Sequence, residues 1–323
     1  MRFFIALLTG LFLATAPVAA QDPLPSWRQT AAKERILAFV HQVTSPKSQF
    51  FVPREDRIAV FDNDGTLLLE QPIYVEVAQV IDRLKSIALT QPSLRDVQPY
   101  KAALDNDIAA IAAMGSSALF DLVAKTNAGM SPDEFRAAVD AWFKTTRHPR
   151  FGKPLDQLTY QPMLELIRLL KKRGFKVYIV TGSGVEFVRA FSQRAYGIPP
   201  ENVIGSTGKL AVVKKGETLT LLREPQIDRI NDGPGKVIGI SETIGKRPIL
   251  AVGNSDGDYQ MLQWTTEGAG ARLGALLHHD DAKREYHYDR TSSVGRLNRG
   301  LDDASARNWL IISMDKDWKR IFP

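Results

Sequence analysis

Ile58-Ala59-Val60-Phe61-Asp62-Asn63-Asp64-Gly65-Thr66-Leu67 is the stretch on which the reading of the chain turns. Four apolar residues in a row, bounded by polar ones, read as a buried strand. The strand ends on a carboxylate, Asp62, with a second, Asp64, two residues on, and Gly65-Thr66 lets the backbone turn away. Two carboxylates at that spacing can converge on one hard cation, because Mg²⁺ takes oxygen ligands and is commonly held by one or two carboxylates together with substrate phosphate. With its charge shielded in that way, Asp62 has the character of a nucleophile toward phosphorus. Asp64 has that of an acid for the leaving oxygen and a base for water.

Working outward, a second strand at 175–180 follows a helix whose Met163, Leu166, Ile167 and Leu170 share one face. Pro162 suits its first position, Lys171-Lys172-Arg173 its last turn and Gly174 its stop. A third strand at 249–252 runs into Gly253, and 273–277 and 310–312 are shorter apolar runs. Strands that alternate with helices predict an α/β fold with a mostly parallel sheet, whose sites lie beyond the carboxyl ends of the strands.

Between the first two strands, residues 71–158 carry no strand pattern but several helical ones: Val77, Val80, Ile81, Leu84, then Leu104, Ile108, Ile111. Ser131-Pro132-Asp133-Glu134 has the form of a capping box that opens another helix, with Phe135, Val139 and Trp142 on its apolar face. The expectation is a helical insertion at 71–158 in a core made of 21–70 and 159–323. Planted directly after the strand that carries the two carboxylates, it is placed to act as a lid. Short apolar runs at 210–213 and 219–222 flank Lys214-Lys215-Gly216-Glu217, which predicts a hairpin.

The 323 residues are 44% hydrophobic and 24% charged, the composition of a globular chain with a sizeable core and not of a disordered one. There is no cysteine, so stability must come from packing and not from crosslinks. Arg2, the apolar run 3–16 and Val18-Ala19-Ala20 match a secretory signal cleaved after Ala20. The run is shorter than the roughly 20 residues of a membrane span. An exported, periplasmic protein with no stable membrane association after cleavage is therefore expected. A formal charge of +6 favours anionic small molecules. Its basic residues are spread out, with no run beyond Lys171-Lys172-Arg173, so nucleic acid is not an expected partner.

Asp62-Asn63-Asp64-Gly65-Thr66-Leu67 resembles motif I of the haloacid dehalogenase superfamily. Three further segments in the right order extend the likeness over about residues 58–258. Thr181-Gly182-Ser183-Gly184 resembles motif II, which implies that the Thr181 hydroxyl and the backbone at Gly182 hold phosphate oxygens. An N-cap for the following helix is the alternative reading of the same residues. Lys236, after Gly233-Pro234-Gly235, matches the motif III lysine that offsets the nucleophile and the phosphoryl charge. Gly253-Asn254-Ser255-Asp256-Gly257-Asp258 stands where motif IV belongs but departs from Gly-Asp-x-x-x-Asp by a neutral residue at Asn254.

The resemblance is closest to the phosphoserine-phosphatase-like branch. It implies a Rossmann-like core with an α-helical type 1 cap, and Mg²⁺ held by Asp62, Asp64, Asn254 and Asp258, with Asp256 or Asp258 compensating for the asparagine. The implied activity is hydrolysis of a small phosphorylated metabolite through an aspartyl-phosphate. Glu70 falls where that branch has an acid for a substrate amine, as in phosphoserine, phosphoethanolamine or phosphocholine. Transfer to an acceptor alcohol, and a catalytically weak protein that binds a phosphorylated ligand, stay open. His278-His279 lacks a spaced histidine partner for zinc and is expected to shape the outer rim of the pocket. Arg147, His148 and Arg150 are expected either near a phosphate or in a basic turn.

Overall fold

A computed structural model describes residues 21–323; the export signal expected at 1–20 lies outside the described residues. The central strand, β1 (Ile58–Phe61), is buried along its whole length, as an apolar strand covered on both faces must be. It pairs in parallel with β2 (Lys176–Gly184) on one side and β5 (Leu250–Gly253) on the other, and Phe61 lies level with Ile179 and Val252. The carboxyl ends of β1, β2 and β5 therefore emerge side by side. This register brings Asp62, Thr181 and Asn254, far apart in sequence, to one edge of the sheet.

Beyond β2, β3 (Val203–Lys215) pairs in parallel and then returns as the antiparallel β4 (Thr218–Arg229). Beyond β5, β6 (Leu273–Asp280) pairs in parallel, and β7 (His287–Tyr288) and β8 (Leu310–Ser313) both pair with β6, antiparallel and parallel respectively. The predicted α/β architecture with a mostly parallel sheet is the one found. Two lengths differ. β2 runs four residues past Val180 because β3 goes on pairing with it as far as Gly184, after an irregularity in register. The hairpin extends well beyond 210–222 because its pairing continues to Thr207 and Arg229.

The regular elements within 71–158 are helices, including Val75–Ile87, Gly115–Thr126 and Pro132–Thr145, beside one isolated bridge between Arg147 and Pro154. Their packing divides them. Val77, Val80, Ile81, Leu84, Ala103 and Leu122 make an apolar cluster of their own. Phe135, Val139 and Phe143 of helix Pro132–Thr145 instead join the main core, with the Phe143 ring 5.9 Å from Phe187 and 5.1 Å from Phe191. The capping box at Ser131 closes through both of its bonds, 3.1 Å and 2.7 Å. Trp142 is only half-buried, and its indole N–H donates to Asp82 Oδ2 at 3.0 Å, which links this helix to Val75–Ile87. The chain returning from the helices is bonded to β4 on both sides of one residue. The Gly129 N–H donates to the Arg223 carbonyl at 2.8 Å, and the Arg223 N–H to the Met130 carbonyl at 2.9 Å. Among the described residues no helix is long and apolar enough to cross a membrane.

Candidate active site

The turn after β1 is built so that its side chains face the sheet end. The Asp62 N–H donates to the Val252 carbonyl at 2.9 Å, and the Asn63 carbonyl accepts from the amides of Leu67 and Leu68. Gly65 sits at φ +74°, where a side chain is strained. A Cβ there would also lie 2.1 Å from Asn254 Nδ2 and 2.3 Å from Glu70 Oε1. Glycine is thus required by backbone and by space, and Asn254 and Glu70 are drawn in against the turn.

Lys236 is buried at the start of helix Pro234–Ile244, and its Nζ lies 2.5 Å from Asp62 Oδ1 and 2.6 Å from Asp258 Oδ1. The other oxygen of Asp258 accepts from the amides of Asn254 and Ser255 at 3.0 and 3.1 Å. Asp258, expected among the metal ligands, has both oxygens engaged and no exposure, and it holds the lysine and the loop after β5. Asp256 is not available as a substitute either, because its carboxylate accepts from the amides of Asn298, Arg299 and Gly300 and holds the start of helix Arg299–Asp303.

On the other side, Asp64 Oδ2 accepts from Ser183 Oγ at 2.8 Å and more weakly from Thr181 Oγ1 at 3.4 Å. Thr181 also accepts the Ser183 N–H at 3.0 Å. In sequence Ser183 is one residue of the segment that resembles motif II and a possible helix cap; a pair of hydroxyls two residues apart at a strand end is the signal for its bond to Asp64. Gly182 and Ser183 line a cavity of about 160 Å³ together with Asp62, Asp64 and Lys236. Asn254 donates through Nδ2 to Glu70 Oε1 at 2.7 Å and accepts at Oδ1 from Thr66 Oγ1 at 3.0 Å. Glu70 takes a second donor, Tyr288 OH, at 2.8 Å.

Another acid reaches the cavity from the helical segment. Glu76, near the start of Val75–Ile87, accepts the Gly184 N–H at 2.7 Å through Oε2, while its buried Oε1 has no hydrogen-bond partner. Burial pushes its carboxyl up to about 7, against the opposing effect of the Gly184 amide. With Phe120 and Val123 it forms the wall shared with a second cavity of about 380 Å³. Nothing in the local pattern marked Glu76, since an acid in a helix's first turn is ordinary.

Burial raises the carboxyls of Asp62, Asp64 and Glu70 above their usual range. For Asp62 the neighbouring Asp258 adds to the effect and Lys236 opposes it. For Lys236 burial works against the charge, but Asp258 and Asp62 outweigh it and the ammonium is retained. Asp62 and Asp258 thus share one lysine, and Asp64 Oδ1 is buried without a partner. Oxygen donors with uncompensated negative charge suit a hard divalent cation. Among the described residues no three His, Cys, Asp or Glu side chains gather as a metal set.

The remaining expected residues lie elsewhere. His279 is buried under the turn at 62–67 and not at the outer rim: Nε2 is 2.7 Å from the Gly65 carbonyl and Nδ1 3.2 Å from Glu285. Arg147 and Arg150 donate to backbone carbonyls, and a ring nitrogen of His148 lies 2.9 Å from the Gln71 carbonyl; none of the three lines the cavity.

The sequence pattern of a family described as haloacid dehalogenase-like hydrolase matches residues 59–263. A phosphorylcholine phosphatase of Pseudomonas aeruginosa strain PAO1 is 25% identical to the chain, over 98% of this chain and 99% of that protein. Among solved structures, a conserved, functionally unknown protein from Anaerococcus prevotii DSM 20548 is 18% identical, with a TM-score of 0.51, over 77% of this chain and 85% of that one. That likeness concerns the fold alone.

Proposed function

Because the chain belongs to the haloacid dehalogenase-like hydrolase family, we propose that it is a magnesium-dependent phosphomonoesterase that works through a phosphorylated Asp62. The observation that carries this reading is the approach of Lys236 Nζ to Asp62 at 2.5 Å, opposite an Asp64 oriented by the Ser183 hydroxyl. Asp62 attacks phosphorus at the end of β1, and Lys236, held by Asp258, offsets the charge that gathers on the phosphoryl oxygens. Asp64, whose carboxyl burial keeps protonated more readily than usual, donates to the leaving oxygen and later takes a proton from the water that releases phosphate. The backbone at Gly182, with Thr181 behind it, offers donors to the same oxygens. Asp62, Asp64 and Asn254 are the residues that would hold Mg²⁺, which supplies charge neutralisation for the approach of an anionic substrate to a carboxylate.

The substrate in this reading is a small phosphomonoester with a cationic head group. Glu76 supports it: its buried Oε1 has no hydrogen-bond partner, and the residue lines the cavity together with Tyr74 and Phe120. An acid and aromatic side chains in one cavity wall suit an ammonium. The name of the Pseudomonas relative agrees with that chemistry. Glu70, expected for this role, also lines the cavity, but its Oε1 takes both Asn254 and Tyr288. Export through the 1–20 signal remains part of the proposal.

Phosphate release by the purified protein with Mg²⁺, from phosphorylcholine, phosphoserine and p-nitrophenyl phosphate, tests the reading. Turnover that survives in Asp62→Asn would sink the nucleophile assignment. Equal kcat/KM for cationic and uncharged leaving groups would reject the head-group assignment.

A further inference from the structure

His279 is a buried histidine that the proposed reaction does not use, and its ring is held at both nitrogens and against one face. Nε2 lies 2.7 Å from the Gly65 carbonyl. A carbonyl oxygen can only accept, so Nε2 carries the hydrogen of that bond. Nδ1 lies 3.2 Å from Glu285 Oε2, and Glu285, with no exposure, is itself fixed by the Tyr286 N–H at 2.6 Å and the Tyr160 hydroxyl at 3.1 Å. Tyr288, the cross-strand partner of His279 in the β6–β7 pair, stacks on the imidazole with ring centroids 4.4 Å apart and planes at 23°. The ring is thus locked in one orientation, with its Nε2–H on one atom.

That atom belongs to the residue that follows Asp64. Gly65 sits at φ +74°, and a residue without a side chain leaves the next peptide more than one orientation. Its carbonyl has no other hydrogen-bond donor among the described residues. The bond from His279 therefore selects the orientation of the Gly65–Thr66 peptide and, with it, the course of the turn that carries Asp64. We propose that His279, held by Glu285, is a positioning residue: by fixing the Gly65 carbonyl it sets where Asp64 stands when its proton passes to the leaving oxygen. The proposal rests on the phosphomonoesterase reading above and adds to it the part of the molecule that aims its acid.

The test compares wild type with His279→Phe, which keeps a ring against Tyr288 and loses the N–H, and with His279→Gln, whose amide N–H can reach the same carbonyl. A misplacement of about 1 Å can cost about 10²-fold in rate. His279→Phe should therefore lower kcat/KM for phosphorylcholine by about tenfold or more. It should lower that for p-nitrophenyl phosphate much less, because nitrophenolate leaves without a proton from Asp64 and an alkoxide does not. His279→Gln should recover most of the loss. A smaller folded fraction would lower both substrates alike, so equal losses, or His279→Phe within about twofold of wild type on both, would overturn the proposal. Nitrogen-15 and carbon-13 NMR gives a readout without turnover, on a chain with five histidines. His279 Nε2 should carry a hydrogen at neutral pH, and the Asp64 carboxyl signal should shift in His279→Phe and return in His279→Gln. A bare Nε2, or an Asp64 signal that His279→Phe leaves in place, rejects the positioning role. If His279→Phe does not fold, a hydrogen on wild-type Nε2 together with near-wild-type turnover of His279→Gln supports the role, and the absence of either rejects it. A wild type that releases no phosphate refutes the phosphomonoesterase reading, and the NMR outcomes then decide the positioning of Asp64 alone.

Discussion

Replacing Glu76 by glutamine tests the acid in the cavity wall through stability as well as activity. The side chain is 4% exposed, and burial moves its carboxyl from an ordinary 4.5 to about 7. In the unfolded chain the proton leaves near 4.5, and in the folded chain near 7. Between those pH values the folded state binds more protons than the unfolded one, so the contribution of Glu76 to stability falls as pH rises and levels off above 7. The gap corresponds to about 3 kcal/mol. Glutamine keeps an oxygen for the Gly184 amide and cannot ionise. Urea unfolding of wild type and Glu76→Gln from pH 4 to 8 should therefore show a small difference at pH 4 and an advantage of up to about 3 kcal/mol for the variant at pH 8. A difference that does not change with pH, or a wild type more stable at pH 8, would refute the reasoning. The same variant should raise KM for phosphorylcholine while leaving KM for p-nitrophenyl phosphate close to wild type.

Asp62→Asn should lower phosphate release by about 10³-fold or more with an unchanged far-UV circular dichroism spectrum, because Lys236 keeps its bond to Asp258; a modest loss would point to another nucleophile. Ser183→Ala removes the 2.8 Å bond to Asp64 and should reduce kcat about tenfold, as expected for a hydrogen bond to a charged group, with unchanged kcat as the contrary result. Phe143→Ala should cost about 3–5 kcal/mol in urea unfolding, because the ring is 2% exposed within the main core; a loss below about 1 kcal/mol would place its helix outside that core. Dialysis against a chelator should abolish turnover and Mg²⁺ should restore it, whereas persistent activity in the chelator would remove the metal from the mechanism.

What could be read from sequence was what depends on neighbours along the chain. The apolar run before Asp62, the capping box at Ser131 and the order of the four segments are local signals, and parallel pairing of β1 with β2 and β5 converts that order into proximity. Lys236 could be chosen over other lysines because its place between two strands predicts which sheet edge it reaches. What escaped depends on partners that only docking brings together. Glu76 meets Gly184 across 108 residues, and Glu70 meets Asn254 across 184. An amphipathic pattern shows that helix Pro132–Thr145 has an apolar face, but not which of two cores receives it. Asp258 illustrates the same limit: its position in the sequence matches a ligand, but the lysine and the backbone amides that take its two oxygens are met only in the folded chain.

The stitching of Gly129 and Met130 to Arg223 limits how access to the cavity can be controlled. At the other end of the helical segment, Gln71 Nε2 donates to the Val294 carbonyl at 3.1 Å and Tyr74 OH accepts the Gly295 N–H at 3.1 Å. Between these clamps the Trp142–Asp82 and Glu76–Gly184 bonds tie helix Val75–Ile87 to the same body. Glu76 is held at its carboxyl as well as through the Tyr74 clamp two residues away. In the proposed reading the acid is then a fixed post, in place to select a head group before any other part of the helical segment has to move.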